Sequence, residues 1–492
     1  FKDCMLRKLR IAFAVVFLAL ITLLFLDFTG TVSGFFGWLA KIQLVPAVLA
    51  VNVGALVFLV LLTLLFGRVY CSVICPLGVM QDVFAWFGKK FKKNRYSYSK
   101  EKKKLRFVLL GLYVILMVVP GLAGIAALLE PYSSFGLIVS SLLSPIYGLC
   151  NNLLASVAEA NDSYLFYEND VWVKSAIGVA LALALLGVLS FLAWRGGRTY
   201  CNTVCPVGTI LGYLSKFSWF KIVIDTEKCN SCGLCAKNCK ASCINSKEHS
   251  VDYSRCVACM DCIDKCNKGA VRFVHKVQTC KAEVSDGAVD DSRRKFIAVS
   301  AMAVSVAAVK AQSKKLDGGL AVIEDKKVPV RELSPKPAGS LSVRNFAGRC
   351  TACQLCVSAC PNGVLRPSAS LDSFMQPEMS FERGYCRPEC VKCSEVCPTG
   401  AIKPISAVEK SSIQIGVAVW HKDNCLANKG EKCDNCARHC PVGAIAMVDY
   451  EGKRIPSVNT EMCIGCGACE NLCPSRPLSG MCIEGVEEHR VL

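Results

Sequence analysis

The sequence predicts an α-helical membrane domain of four spans in two tandem repeats, followed by small α+β domains folded around cysteine ligands. Three observations carry that prediction. The first is apolarity: hydrophobic residues make up 53% of 492 residues and mean hydropathy is +0.39, too apolar for a soluble chain of several domains. The second is a twelve-residue string that occurs twice in the first half. The third is the placing of the 33 cysteines, most of them in groups of four. In a long chain that spacing reads as metal binding, whereas disulfide scaffolds belong to short secreted chains. The formal net charge of +18 invites a nucleic-acid reading, but much of it sits in one loop beside the apolar stretches. The tally also counts every cysteine as neutral, and no helix-turn-helix or aromatic RNA-binding motif is present. No nucleic-acid partner is expected.

Residues 1–220 form the predicted membrane domain, in contact with membrane lipid. The expected spans are Ile11–Phe28, Leu44–Phe66, Leu105–Leu129 and Val171–Trp194, each near the roughly 20 residues that a ~30 Å hydrocarbon core requires. Gly88 to Arg106 carries ten Lys/Arg and one acid, while Glu130 to Asp170 carries five acids and no Lys or Arg. The positive-inside rule then places the N-terminus, the Lys-rich loop and the segment after Trp194 in the cytoplasm. The repeated string runs from Gly67 to Gly78 and again from Gly197 to Gly208, each copy holding Cys-x3-Cys-Pro. With two spans per repeat, Cys71, Cys75, Cys201 and Cys205 lie at one membrane face and pseudo-twofold packing brings them together. Three readings stay open: ligands of one iron–sulfur cluster, a redox-active thiol pair, or small buried residues. Duplication of the whole string argues against chance burial, and the remaining motifs of the chain favour a cluster. Asp27 and Glu130 stand at equivalent outer ends of the first span of each repeat. Each could accept a proton from a quinol as it is oxidised; the plainer alternative is an interfacial acid at a helix end.

Residues 221–280 contain Cys229, Cys232, Cys235 and Cys239, then Cys256, Cys259, Cys262 and Cys266. This is the two-cluster bacterial ferredoxin spacing, in which three cysteines of one motif hold a cubane and the fourth reaches across to the other. A zinc site would need one such group and no second. Lys240 and Asn267 stand where the pattern carries proline. The module follows the fourth span directly and is expected to be cytoplasmic.

Residues 281–311 include Ser292-Arg293-Arg294-Lys295-Phe296-Ile297 and then an Ala/Val-rich run, which looks like a twin-arginine export signal or a fifth, short anchor. Residues 312–345 read as a Lys-, Pro- and Gly-rich tether. Residues 346–492 carry four motifs: Cys350, Cys353, Cys356 and Cys360; Cys386, Cys390, Cys393 and Cys397; Cys425, Cys433, Cys436 and Cys440; Cys463, Cys466, Cys469 and Cys473. Each ends in Cys-Pro. With the first module these ligands imply six [4Fe–4S] clusters, and one more if the four membrane-face cysteines also hold one. Spacing leaves open whether the four motifs pair in order or nested. Cys4, Cys150, Cys243, Cys280 and Cys482 are left as structural or spare. Cluster proteins are assembled inside the cell and must be exported folded, which is the twin-arginine route.

With these motifs the first half resembles the membrane polyferredoxin of the periplasmic nitrate reductase system (NapH). The part from Ser292 onward resembles the partner ferredoxins of that system and of methylamine utilisation (NapG and MauM), with Pro335-Lys336-Pro337-Ala338-Gly339 as a similar lead-in. The resemblance implies a bacterial inner-membrane protein. It further implies that the protein oxidises menaquinol or ubiquinol and delivers electrons to a periplasmic reductase or electron carrier. Two other functions are weighed. A metal-centre maturation factor drawing on cytoplasmic electrons would need an uninterrupted route from the inner module to the outer array. A redox sensor would need one cluster, not six.

Overall fold

The computed structural model describes residues 2–27, 29–91, 96–119, 121–162, 168, 171–275 and 325–492. Residues 281–311, with Arg293 and Arg294, and also Cys280, lie outside the described residues. Among the described residues three helices are long and apolar enough to cross a bilayer: Met5–Leu26, Pro131–Glu159 and Ala176–Gly196. The first and last coincide with two expected spans; the other two expected spans break. Leu44–Phe66 divides into Leu44–Leu49 and Val53–Phe66. Val51 adopts φ 53°, and the Asn52 side chain accepts from the Ala55 N–H at 3.2 Å, capping the second piece. Leu105–Leu129 divides into Lys103–Val118 and Ala123–Ala127, because Val119 precedes a proline and takes the extended backbone such residues favour.

The third long helix is a correction to the expected outer loop, Glu130–Asp170. Positions 131–158 carry no charge, and the acids at the two ends of the stretch concealed that. This helix widens to a π turn at Val139–Leu143 just before Pro145. A proline removes one helical hydrogen bond and crowds the carbonyl four residues earlier, and a wider turn relieves both.

The two copies of the repeated string fold alike. Each is a short helix, Val69–Val73 or Thr199–Thr203, followed by one that begins at the Cys-Pro step, Pro76–Lys90 or Pro206–Leu214. Proline at the first helical position has no N–H to leave unsatisfied.

The inner module packs against these strings. Strands Phe220–Ile224 and Val271–His275 pair antiparallel and flank its two cysteine motifs. Phe220 stacks on Phe66 at 5.6 Å, and the Trp219 N–H donates to the Leu64 carbonyl at 2.7 Å, fixing the module to the end of helix Val53–Phe66. The end of the Lys-rich loop, from Tyr96 onward, lies on it: Arg106 is 3% exposed, pairs with Glu101 and donates to Ser254 Oγ at 3.3 Å.

The outer array repeats this plan in its second half, and its first half has a strand pair only between its motifs. Strands Ile413–Trp420 and Met481–Val491 pair antiparallel and flank the last two motifs, with a bulge between Gly485 and Arg490. The shorter pair Leu365–Pro367 and Pro377–Met379 sits between the first two. The expected tether over 312–345 is corrected in its described part, which is a strap packed on the array. Lys326 Nζ donates to the carbonyls of Glu470, Asn471 and Cys473. Arg331 pairs with Glu470 at 2.5 Å, and Lys336, Ala338 and Ser340 are buried. Here Lys326, Pro335, Lys336 and Pro337 serve contacts, not solvation.

The two iron–sulfur units sit at opposite ends of helix Lys2–Leu26, which is about 37 Å long at 1.5 Å per residue. At its start Arg7 pairs with Asp261 and Asp264 of the inner module, at 2.8 and 3.2 Å. At its end Phe25 packs on Tyr132 and Phe135, beside the outer array. Gly136 meets the Cys353 carbonyl and Gly124 the Phe374 carbonyl so closely that a Cβ on either would collide with it. Lys174 Nζ donates to the Val357 carbonyl at 2.9 Å. The double variant Gly124→Ala/Gly136→Ala is therefore expected to loosen this seam at about 1–3 kcal/mol per site. Hydrogen exchange should rise over 350–375 and stay unchanged over the inner module.

Candidate metal centres

Four of the six ferredoxin-type motifs share a backbone signature that their residue types do not. The residue before the second cysteine and the residue after it both have positive φ: Ser231 and Gly233, Ala258 and Met260, Ala352 and Gln354, Gly465 and Gly467. Five of these eight carry side chains. A left-handed backbone there costs each about 1–3 kcal/mol and persists where the surroundings impose it. In the two widened motifs the residues flanking the second cysteine, Cys390 or Cys433, do not have positive φ; between Cys425 and Cys433 the turn falls instead on Gly430, at φ 92°.

The quartets assemble as two-cluster units do. Cys350, Cys353 and Cys356 interact electrostatically with Cys397 from the next motif, and Cys386 and Cys393 interact with Cys360. Cys425, Cys433, Cys436 and Cys473 line one small cavity, while Cys440, Cys463, Cys466 and Cys469 line another. The four outer motifs therefore pair in order. In the inner module Cys262 interacts with Cys256, Cys259 and Cys239, and Cys235 with Cys229 and Cys232.

Backbone N–H groups donate to the last cysteine of several motifs: Ala270 to Cys266 at 3.3 Å, Ile402 to Cys397 at 3.4 Å, Ala444 to Cys440 at 3.2 Å and Gly480 to Cys473 at 3.3 Å. Donors aimed at sulfur suit a thiolate ligand and help set the potential of whatever it binds. Among the described residues no three of His, Cys, Asp or Glu converge tightly enough for a single ion. Three thiols from one loop with a fourth from its neighbour fit a four-iron cubane, which spreads its ligands further apart than one ion does.

The membrane-face cysteines do come together. Cys71, Cys75, Cys201 and Cys205 are each 3% exposed, and Cys205 interacts with the other three. Around them the two repeats exchange partners about a pseudo-twofold axis. Arg68 Nη2 lies 3.8 Å from Cys71 Sγ and donates to the Cys201 carbonyl at 3.1 Å. Arg198 Nη1 lies 3.9 Å from Cys201 Sγ and donates to the Cys71 carbonyl at 2.7 Å. The Gly208 N–H donates to Cys205 Sγ at 3.3 Å.

Both guanidiniums are fully buried, and their charges are met differently. Arg198 pairs with Asp82: Nε donates to Oδ1 at 2.9 Å and Nη2 lies 2.9 Å from Oδ2. Arg68 has the neutral acceptors Asn202 Oδ1 and the Ser254 carbonyl, at 2.9 and 3.1 Å. The repeat position equivalent to Asp82 is Gly212. A buried cation without a carboxylate needs another anion, and the thiol tetrad is the group beside it. An anionic thiolate cluster on the tetrad would meet that requirement, as would one held by Cys256, with which Arg68 also interacts.

Asp82 gathers more than Arg198. Arg10 reaches it at 3.1 Å and Lys240 Nζ at 3.6 Å, and Lys240 also pairs with Asp261 at 2.9 Å. Burial alone would raise the Asp82 carboxyl, but Arg198, Lys240 and Arg10 hold it well below the usual carboxylate range. Lys240 occupies the position where the ferredoxin pattern has proline. Its carbonyl accepts from the Arg198 N–H at 2.8 Å, so a docking residue has displaced the usual one. Sequence reasoning singled out none of Arg68, Arg198 and Asp82. The arginines stood within the repeated string, where an identical charged residue beside an apolar span was the available signal; Asp82 gave none.

Asp27 and Glu130 are alike in the structure too, each accepting from a backbone N–H in the first turn of the helix that follows. Asp27 accepts from Thr29 Oγ1 and from the Gly30 and Ser33 N–H groups at 2.8–2.9 Å, and Glu130 accepts from the Ser133 N–H. Glu130 is 1% exposed and lies between the tetrad and the outer array. Tyr113 senses both Glu130 and Cys205, and Tyr132 senses Glu130, Cys353 and Cys397. Of the spare cysteines, Cys243 is buried with its sulfur 3.5 Å from Cys239 Sγ, Cys482 is buried and Cys150 is exposed.

A family model described as a 4Fe-4S binding domain matches residues 49–94 and 178–224, the stretches that contain the tetrad. A second, a 4Fe-4S dicluster domain, matches residues 349–426 and 431–476. The chain is 33% identical over 195 residues to the methylamine utilization ferredoxin-type protein MauM of Paracoccus denitrificans, covering 37% of this chain and 83% of that protein. It is 32% identical over 154 residues to the ferredoxin-type protein NapG of Escherichia coli, covering 28% of this chain and 65% of that protein. To YccM of Escherichia coli, a protein named for electron transport, it is 26% identical over 255 residues, covering 49% of this chain and 63% of the other. No solved structure matches the chain. Iron–sulfur electron transfer follows from these relatives together with the quartets.

Proposed function

Because the chain belongs to the family of MauM ferredoxin-type proteins, we propose that it is a membrane-bound electron-transfer protein that oxidises a quinol. On this reading six [4Fe–4S] clusters and a seventh on the tetrad carry the electrons to a periplasmic reductase or carrier. When bound, such clusters supply one-electron carriers whose potentials the protein sets. The observation that carries the reading is contiguity. Arg68 touches Cys71 of the tetrad and interacts with Cys256 of the inner module, and Glu130 and Tyr132 stand between the tetrad and Cys353. Positioning of this kind is what a protein contributes to electron transfer. Of the two acids, Glu130 is the one that lies on that line, while Asp27 is taken up by three donors.

The placement of the two units at opposite ends of one helix supports an inner module in the cytoplasm and an array outside the inner membrane. Export through Arg293 and Arg294 accounts for that separation. A reporter active only outside, fused after Leu492, is expected to work in the parent chain and to fall silent in Arg293→Lys/Arg294→Lys. Silence with both arginines intact would contradict export.

The same contiguity favours the second reading, in which cytoplasmic electrons enter through the inner module to reduce a metal centre outside. Mixing the purified protein with menaquinol and following its visible absorbance separates the two. Bleaching is expected; no bleaching at any pH removes quinol oxidation and leaves entry through the inner module.

A further inference from the structure

Between the membrane helices and the outer array lies a cavity of about 530 Å³, within the range of sites for drug-sized ligands. Its wall is made from two kinds of surface. On one side are Phe25, Ser144 and Gly148, from the end of the first helix and from the helix beyond the π turn. Tyr147 and Val173, also in the wall, are exposed and give a lipid tail a way out. On the other side are Asn362, Arg387 and Cys360, the last being a proposed cluster ligand. Trp172 closes the end, its ring between the guanidiniums of Arg366 and Arg383 at 4.7 and 4.8 Å. Among the described lining residues there is no carboxylate and no imidazole; the polar groups are hydroxyls, amides and cations, so a quinol oxidised here would give its two electrons to the cluster that Cys360 would help hold and its two protons to water.

The geometry points to this cavity as the binding site for the headgroup of a quinone or quinol. Its ring oxygens would accept from Asn362 and Arg387, and its tail would leave past Tyr147 and Val173. This assignment rests on the quinol reading above and gives it a place. An anionic phospholipid would satisfy the same cations, but it gains nothing from a cluster ligand in the wall; a redox-active lipid does.

The test uses the full-length protein in nanodiscs and a photoreactive azidoquinone, with labelled peptides mapped by mass spectrometry. Labelling is expected at 140–148, 172–174 and 358–363. Ser144→Phe, which fills the cavity, should weaken it about tenfold or more, with iron content unchanged as the check on folding. Arg387→Ala, at an exposed side chain, should weaken it in the same direction without filling the space. Labelling elsewhere, or unaltered in both variants, overturns the assignment. So does displacement of the probe by phosphatidylglycerol but not by excess menaquinone, which would make this a lipid headgroup site. If menaquinol bleaches wild type and Ser144→Phe alike, quinol oxidation stands and the cavity assignment falls. If the cavity is labelled but menaquinol bleaches neither protein, the site stands and the functional reading falls.

Discussion

Asp82→Asn is expected to destabilise the chain by about 3–5 kcal/mol, the usual cost of removing one partner from a buried ion pair. The carboxylate faces Arg198, Arg10 and Lys240 together, and only Arg198 among them is wholly buried. Losing the acid strands that guanidinium beside the tetrad and releases the tie between the inner module and the membrane half. The thermal midpoint should fall and hydrogen exchange should rise over 238–264. Replacing both partners, Asp82→Leu/Arg198→Met, should recover part of the loss, because no buried charge then remains unpaired. The pH dependence has a definite sign. The folded carboxyl titrates below its unfolded value, so its stabilisation is fully present above the unfolded pKa of about 3.9 and is lost only as pH falls through the depressed folded value. The difference between wild type and Asp82→Asn should therefore be the same at pH 5 and pH 8. A difference that vanishes at pH 5 would contradict the ion cluster.

Gly208→Ala is expected to empty the tetrad. A Cβ at Gly208 would collide with the Cys201 carbonyl and lie 2.9 Å from Arg68 Nη2. Neither atom can withdraw cheaply, since one is backbone and the other is held by buried bonds. Overpacking of this kind costs about 1–3 kcal/mol, and here it also moves the N–H that donates to Cys205 Sγ. Gly78→Ala should behave alike, its Cβ lying 2.6 Å from Arg198 Nη1. Each variant should lose the iron of one cluster and keep that of the ferredoxin-type quartets. Full iron in both would count against a cluster on the tetrad.

Much of the site was legible because ligand spacing is a short-range property. Cys350 to Cys360 announce a cluster loop from a few positions of sequence, and the two copies of Gly-Arg-x-Tyr-Cys announced a symmetric pair. What could not be read depends on long-range packing. Cys353 and Cys397 are far apart in the chain, and nothing in either motif says that they meet. The broken spans had local causes, Asn52 and the proline after Val119, that a hydropathy sum averages away. Helix Pro131–Glu159 was lost because acids at the ends of a loop outweighed 28 uncharged residues between them. Lys240 appeared in the sequence as a departure from pattern, and its purpose became visible only with Asp82 beside it.

The central claim is that the tetrad holds a cluster joining the inner module to the outer array. Iron content and the electron paramagnetic resonance spectrum of the reduced protein test it most directly in Cys71→Ala/Cys75→Ala/Cys201→Ala/Cys205→Ala. The account predicts that this variant loses the iron and the signal of one [4Fe–4S] cluster and retains the other six. Iron and spectrum unchanged from wild type would contradict it.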